Sequence, residues 1–142
     1  MERFALTALS KWKKSKSRKP LIIQGARQVG KTWLMKEFGK REYEQVAYIN
    51  FESSDSLKSI FKEDFDVNRL ITAFQIETGI RIRPDNTLII LDEIQEAERG
   101  ITSLKYFCEN APEYHIMAAG SLLGITLHQK TSFPRTGFCH PE

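Results

Sequence analysis

Residues 21–33, LIIQGARQVGKTW, leave this chain few ways to fold. Three apolar residues follow Pro20 and run into a glycine, and a second glycine precedes Lys31 and Thr32. A short apolar run between proline and glycine is typical of a strand that is buried on both faces. The segment WLMKEFGK has the composition of a helix, which we expect to end near Gly39. The stretch predicts a strand, a glycine-rich loop and a helix in succession.

Three further segments have the composition of strands. Residues 45–52, 87–93 and 114–121 are apolar and rich in β-forming residues. The second of them follows RPDN, a sequence typical of a turn. Each segment is therefore expected to form one strand of a sheet.

Helical patterns separate these strands. The first dozen residues have the apolar spacing of an amphipathic helix. After the helix that follows the glycine-rich loop, a third helix is expected to begin after Asp66 as its N-cap and to end at Gly79. A fourth is expected to begin near Ile101 and to end before Pro112. Alternation of strands and helices predicts an α/β fold in which a parallel sheet is covered by helices.

The composition is that of one ordinary globular domain. The chain has 142 residues, of which 41% are hydrophobic and 27% are charged. The formal net charge is +3, and much of the basic excess lies in residues 11–20, KWKKSKSRKP. A solvated connector explains such a short run better than a nucleic-acid site does, so nucleic acid is a weakly supported partner.

The sequence gives no sign of export or of a membrane span. The longest apolar runs, such as residues 87–91, fall far short of the roughly 20 residues of a membrane helix, and the N-terminus lacks the pattern of a signal peptide. Cys108 and Cys139 fit a reducing cytosol better than a disulfide-bonded scaffold, and Cys108 is expected in the core. We expect a cytoplasmic protein without a membrane partner.

The glycine-rich loop matches a phosphate-binding pattern, G-x-x-x-x-G-K-[ST]. Its glycines let backbone N–H groups point inward, and the following helix adds the positive end of its dipole. In such a loop Lys31 reaches the β- and γ-phosphates, and the hydroxyl of Thr32 is a ligand of Mg²⁺. The alternative is a turn that happens to contain two glycines, but its place between strand and helix favours a nucleotide site. The residues assigned to nucleotide binding are Gly25, Ala26, Arg27, Gln28, Val29, Gly30, Lys31, Thr32 and Trp33.

Two adjacent carboxylates, Asp92 and Glu93, follow the apolar run of the third predicted strand. Charges at the end of a buried strand are costly unless something uses them, and Mg²⁺ is the obvious ion behind a phosphate loop. Asp92 is predicted to hold the ion, and Glu93 to act as the catalytic base on water. The alternative is a strand that surfaces into an acidic turn. The chain has no Asn-Lys-x-Asp sequence, so ATP is favoured over GTP.

Polar residues near the end of the fourth predicted strand are weaker candidates. Gly120 and Ser121 lie where ligands gather in open parallel sheets. Ser121 is predicted to sense the γ-phosphate or the water, as a catalytic residue beside Glu93 and Lys31, although a serine in a turn is commonly structural. Gln95, just after the two carboxylates, is a candidate of the same kind.

Several segments, taken in order, resemble the prokaryotic AAA-type ATPases that carry a nuclease-like C-terminal domain. They are RKPLIIQGARQVGKT, YINFE, LIILDEIQ, LKYFCENAPEYHIMAAGSLLG and SFP. The resemblance implies a three-layer P-loop NTPase fold with ATP and Mg²⁺ as ligands. It matches Lys31 and Thr32 to the Walker A motif, Asp92 and Glu93 to Walker B, and Ser121 to the polar sensor position.

The resemblance also implies how the chain is organised. We expect an N-terminal helix and basic linker over residues 1–19, an ATPase core over 20–134 and an irregular tail over 135–142. Family members continue after SFP into further elements, so we expect the loop-bearing strand to be an exposed apolar edge here. An arginine finger is expected from a protein partner or from a second copy of the chain, and hydrolysis is expected to be weak. The alternative is a nucleotide-responsive binding module without useful turnover.

Overall fold

The computed structural model describes residues 9–14, 20–25 and 29–121, and for residues 24–25, 29–31 and 121 it describes the backbone alone. Residues 9–14 are helical. The strands and helices that follow are β1 (Leu21–Gly25), α1 (Val29–Glu42), β2 (Gln45–Asn50), α2 (Val67–Thr78), β3 (Thr87–Asp92), α3 (Gly100–Asn110) and β4 (His115–Ser121). Single 3₁₀ turns occupy Asp55–Leu57 and Ile94–Glu96.

The four strands form one parallel sheet in the order β1-β4-β3-β2. Helices connect successive strands, as parallel pairing requires. The predicted α/β fold with a parallel sheet flanked by helices is confirmed. Within the described residues, β1 pairs on one side only and forms one edge of the sheet, and β2 forms the other.

The sheet has an apolar layer on each face, because alternate residues of a strand point to opposite sides. Every residue of β3 is buried, as expected for a strand covered on both faces. On one face Leu88 and Ile90 pack with α1 and with residues of the N-terminal helical segment. On the other face Ile89 and Leu91 pack with α2 and α3. This arrangement gives the three layers that were predicted.

Helix α1 does not end near Gly39, as predicted, but continues to Glu42. A β-carbon at position 39 would lie 2.5 Å from Cγ2 of Val46 and 3.1 Å from Cδ2 of Leu88. Real β-carbons do not approach other atoms so closely, so glycine is needed here for the contact between α1 and the sheet. Gly39, which in the sequence indicated a helix end, is in the structure a residue required for packing.

The two ends of α2 are as predicted. Asp66 caps the helix, and its side chain accepts a hydrogen bond from the Arg69 N–H. Gly79 ends it in the left-handed conformation, with φ of 71°. Both positions carry residue types that favour these conformations.

Three other expectations have different outcomes. Residues 9–14 are helical and enter the basic run, while residues 1–8 of the predicted N-terminal helix lie outside the described part of the chain. Cys108 is buried on α3, as predicted for a core residue. Each helix in the described ranges is too short or too polar to span a bilayer.

Candidate functional site

The carboxyl ends of the four parallel strands meet along one edge of the sheet. Gly25 at the end of β1 pairs in register with Ser121 at the end of β4. Asn50 at the end of β2 pairs with Asp92 at the end of β3. The sheet thus brings the first glycine of the phosphate-loop sequence and the predicted metal ligand to the same edge.

Helix α1 begins at this edge, with Val29 as its first residue. The first N–H groups of a helix have no partner within the helix and carry the positive end of its dipole. The first turn of α1 contains no acidic residue, so no side chain of that turn competes with a bound anion. Lys31 lies in this turn, with its side chain outside the described part, and residues 26–28 are outside it altogether.

Thr32 of α1 contacts Asp92 of β3 directly. The Thr32 hydroxyl donates a hydrogen bond of 2.9 Å to Oδ2 of Asp92. Asp92 has the same strand parity as Leu88 and Ile90, which pack against α1, so its side chain is directed to the α1 face of the sheet. Only 2% of Asp92 is exposed. The structure therefore brings the two predicted metal ligands into contact.

Tyr48 of β2 is a member of the site that sequence reasoning missed. Its hydroxyl donates a hydrogen bond of 2.7 Å to the same oxygen, Oδ2 of Asp92. The ammonium group of Lys36 lies 4.1 Å from the centre of the tyrosine ring, a cation–π contact that holds the ring in place. Burial raises the pKa of Tyr48 above its ordinary value of 10.0, and the hydrogen bond to Asp92 and its charge raise it further. Tyr48 therefore stays protonated and remains a donor to Asp92.

Glu93 leaves the strand in an uncommon backbone conformation. Its φ is 51° and its ψ is 47°, in the left-handed region that side chains other than glycine seldom adopt. Its N–H donates 2.9 Å to Oδ1 of Asp92, and its carboxylate accepts 2.8 Å from Nε2 of Gln95. The side chain is buried, with 7% of the residue exposed. Such strain is often concentrated at functional sites, where surrounding contacts stabilise it.

The donor set around Asp92 fits Mg²⁺. A threonine hydroxyl has one proton and two lone pairs, so the hydrogen bond to Asp92 leaves lone pairs of Thr32 available to a cation. Mg²⁺ prefers oxygen ligands and usually takes only one or two from protein, the others coming from phosphate and water. Among the described residues there is no cluster of three or more histidine, cysteine or acidic side chains that could hold a metal ion.

The other predicted site residues are placed less completely. Trp33 lies in the first turns of α1 and is 43% exposed, so its ring borders solvent. Ser121 is placed by its backbone next to Gly25. Gln95 contacts Glu93 and is buried. Tyr48 is the lone aromatic residue of β2, two residues before that strand ends, but the predicted segment 45–52 also contains Phe51, so the sequence did not single Tyr48 out.

The chain has the features of a P-loop NTPase-like α/β domain. They are a strand that leads into the glycine-rich sequence, a helix that follows it, and a contact between Thr32 and Asp92 at the carboxyl edge of the parallel sheet. A family model described as "AAA domain" matches residues 17–137. The chain belongs to this AAA domain family, and it is a nucleotide-binding module of the ATPase type. A search of curated proteins finds none that matches the chain.

Proposed function

We propose that this protein binds ATP with Mg²⁺ at the carboxyl edge of the sheet and hydrolyses it to ADP and phosphate. The observation that carries the proposal is the hydrogen bond between Thr32 and Asp92, which joins the end of the phosphate-loop sequence to the end of β3. Membership of the AAA domain family supports the same conclusion. In this proposal both the binding and the hydrolysis of ATP take place at the carboxyl edge of the sheet.

Binding of the phosphates rests on residues 25–33. The N–H groups at the start of α1 suit an anion, and the backbone of Lys31 lies in that turn. In this proposal its ammonium group binds the β- and γ-phosphates. Thr32 and Asp92 are the residues that would hold Mg²⁺, Thr32 directly and Asp92 through water. When bound, Mg²⁺ neutralises negative charge on the phosphate oxygens.

Hydrolysis rests on Glu93. In this proposal its carboxylate takes a proton from water as the water oxygen bonds to the γ-phosphorus, and the bond from that phosphorus to ADP breaks with its electron pair left on the β-phosphate oxygen. The contacts of Glu93 with Asp92 and Gln95 fix the carboxylate beside the metal ligand. A general base contributes about 10² to 10⁴ in rate.

The matched pair Glu93→Gln and Glu96→Gln tests this role. Both substitutions remove one negative charge from the same turn, but Glu93 is buried and Glu96 is exposed. Glu93→Gln is expected to reduce the single-turnover rate of ATP hydrolysis by about 10² to 10⁴ and to leave the affinity for MgATP within about twofold. Glu96→Gln is expected to change neither quantity.

Two results would count against the proposal in different ways. Equal and negligible hydrolysis by the wild type and Glu93→Gln, with MgATP still bound, would leave a nucleotide-responsive binding module. Absence of Mg²⁺-dependent binding of ATP to the folded wild type in calorimetry would remove the nucleotide site itself. Both measurements use the full chain.

A further inference from the structure

Gln95 is a buried amide beside the proposed catalytic base. It lies in the 3₁₀ turn Ile94–Glu96 directly after β3, and only 7% of the residue is exposed. Glutamine is seldom buried to this degree unless its polar atoms have partners. The nitrogen of the Gln95 amide has a hydrogen-bond partner, whereas its oxygen has none among the described residues.

One end of the amide is satisfied and the other is not. Nε2 of Gln95 donates a hydrogen bond of 2.8 Å to Oε1 of Glu93. Oε1 of Gln95 is buried and has no hydrogen-bond partner among the described residues. Since a carboxylate can only accept, the nitrogen must face Glu93, and this fixes which way the amide points.

An unpartnered buried carbonyl oxygen costs about 1 to 3 kcal/mol. Such a group in a folded protein calls for an explanation, and a bound water or a ligand atom is the usual one. Because the amide oxygen and nitrogen share one carbon atom, the unpartnered oxygen lies only one amide group beyond the contact with Glu93. One water molecule is large enough to bridge this oxygen and the Glu93 carboxylate.

We propose that Gln95 is a positioning residue for the attacking water, which donates one hydrogen to Oε1 of Gln95 and the other to the carboxylate of Glu93. This inference rests on the proposed ATP hydrolysis. Two acceptors that hold both O–H bonds leave a lone pair of the water oxygen free to face the γ-phosphorus. The Nε2 contact also keeps the Glu93 carboxylate from turning away.

The proposed role of Gln95 concerns the rate of hydrolysis and not the affinity for ATP. Gln95 contacts the water and the base but not the phosphates or the metal ligands, so its loss should spare ground-state binding. It should weaken a complex that includes the in-line water. MgADP with tetrafluoroaluminate imitates the transferring phosphoryl group with that water in place, whereas the imido analogue of ATP imitates the ground state.

The test compares Gln95→Met with Gln75→Met in the full chain. Methionine is close to glutamine in length but has neither amide group. Gln75 is a suitable control because its Oε1 accepts a hydrogen bond from the Ile82 N–H, near the amino end of β3 and thus at the opposite edge of the sheet. Calorimetry gives the affinities for both magnesium-nucleotide complexes, and single-turnover kinetics gives the rate of hydrolysis.

Gln95→Met is expected to weaken the tetrafluoroaluminate complex at least tenfold and to leave the imido-analogue affinity within about twofold. The hydrolysis rate should fall about 10- to 100-fold with KM within twofold. Equal losses for both complexes would show a structural role and overturn the inference, as would no loss for either. A wild-type chain that binds neither complex would overturn both this inference and the proposed function, whereas the preceding results leave the proposed function standing.

Discussion

Tyr48 and Thr32 both donate hydrogen bonds to the same oxygen of Asp92, Oδ2. One donor comes from the strand next to β3 and the other from the helix after the phosphate-loop sequence. Oδ1 of Asp92 is held separately by the Glu93 N–H. The carboxylate is thus fixed in orientation before any cation arrives, and the contribution of each donor can be measured.

Tyr48→Phe removes one of these donors without changing the ring. We expect the affinity for MgATP to fall about 3- to 10-fold, or about 0.7 to 1.4 kcal/mol, because Asp92 is then less well ordered for the metal. Binding of ATP in the presence of a chelator should change by less than twofold. Titration calorimetry with and without Mg²⁺ makes the comparison.

The control for that substitution is Tyr106→Phe. Tyr106 is also half-buried, and its ring stacks on Phe65 at 4.3 Å, away from Asp92. It should leave both affinities unchanged. Equal effects of the two substitutions would show that the hydroxyl of Tyr48 has no specific part in metal binding.

The stability of the fold should depend on the Tyr48 proton in alkaline solution. The pKa of Tyr48 in the folded protein is raised above 10.0, by burial first and then by Asp92. The folded state therefore holds this proton more tightly than the unfolded chain does. Its contribution to the free energy of unfolding is complete below about pH 10 and is lost as the pH rises through the folded pKa.

Chemical denaturation of the wild type and of Tyr48→Phe at several pH values tests this. The difference in free energy of unfolding between the two proteins should be constant below about pH 10 and should shrink above it. Other groups titrate in the same range, but they are common to both proteins and cancel in the difference. A difference that stays constant to higher pH would contradict the raised pKa.

Thr32 can be tested with the pair Thr32→Val and Thr32→Ser. Valine keeps the branched shape but lacks the hydroxyl, whereas serine keeps the hydroxyl. We expect Thr32→Val to lose the enhancement of ATP binding by Mg²⁺, and Thr32→Ser to keep it within about threefold, because the ligand is the oxygen atom. Retained Mg²⁺ dependence in Thr32→Val would exclude Thr32 as a metal ligand.

Gly39→Ala should destabilise the protein even though alanine favours helices. The new β-carbon would lie 2.5 Å from Val46 Cγ2, and relief requires a shift of α1 or of the valine. Overpacking costs about 1 to 3 kcal/mol, against about 1 kcal/mol gained in helix propensity. We expect urea denaturation to show a net loss of up to about 2 kcal/mol.

The double substitution Gly39→Ala with Val46→Ala provides the control. Shortening Val46 makes room for the new methyl group, so the two changes together should cost less than their sum. Additive costs would mean that the contact at position 46 is not the source of the destabilisation.

The order of strands and helices follows from local patterns, because apolar periodicity and caps such as Asp66 act within a few residues. The predicted end of α1 was wrong because Gly39 is required for packing against Val46 and Leu88, which are distant from it in sequence. A glycine needed for packing and a glycine that ends a helix look alike in one sequence. The side-by-side pairing of Gly25 with Ser121 likewise depends on strand order.

The site residues also fall into two groups, those that a local motif indicates and those that depend on contacts between distant segments. Thr32 and Asp92 belong to short motifs with a chemical reason for each residue, and the motif alone indicated both. Tyr48 and Gln95 reach Asp92 and Glu93 through side-chain contacts across the sheet edge and around a strained turn. The pairing of Asn50 with Asp92 is what brings Tyr48 within reach, and this register is not encoded in any short pattern.

The absence of a β-carbon at position 39 leaves α1 with no clearance above the sheet. Sliding of α1 along its axis would bring residues with a β-carbon against Val46 and Leu88, and this steric contact opposes the movement. A change at the first turn of α1 is therefore expected to move the helix together with the sheet rather than past it.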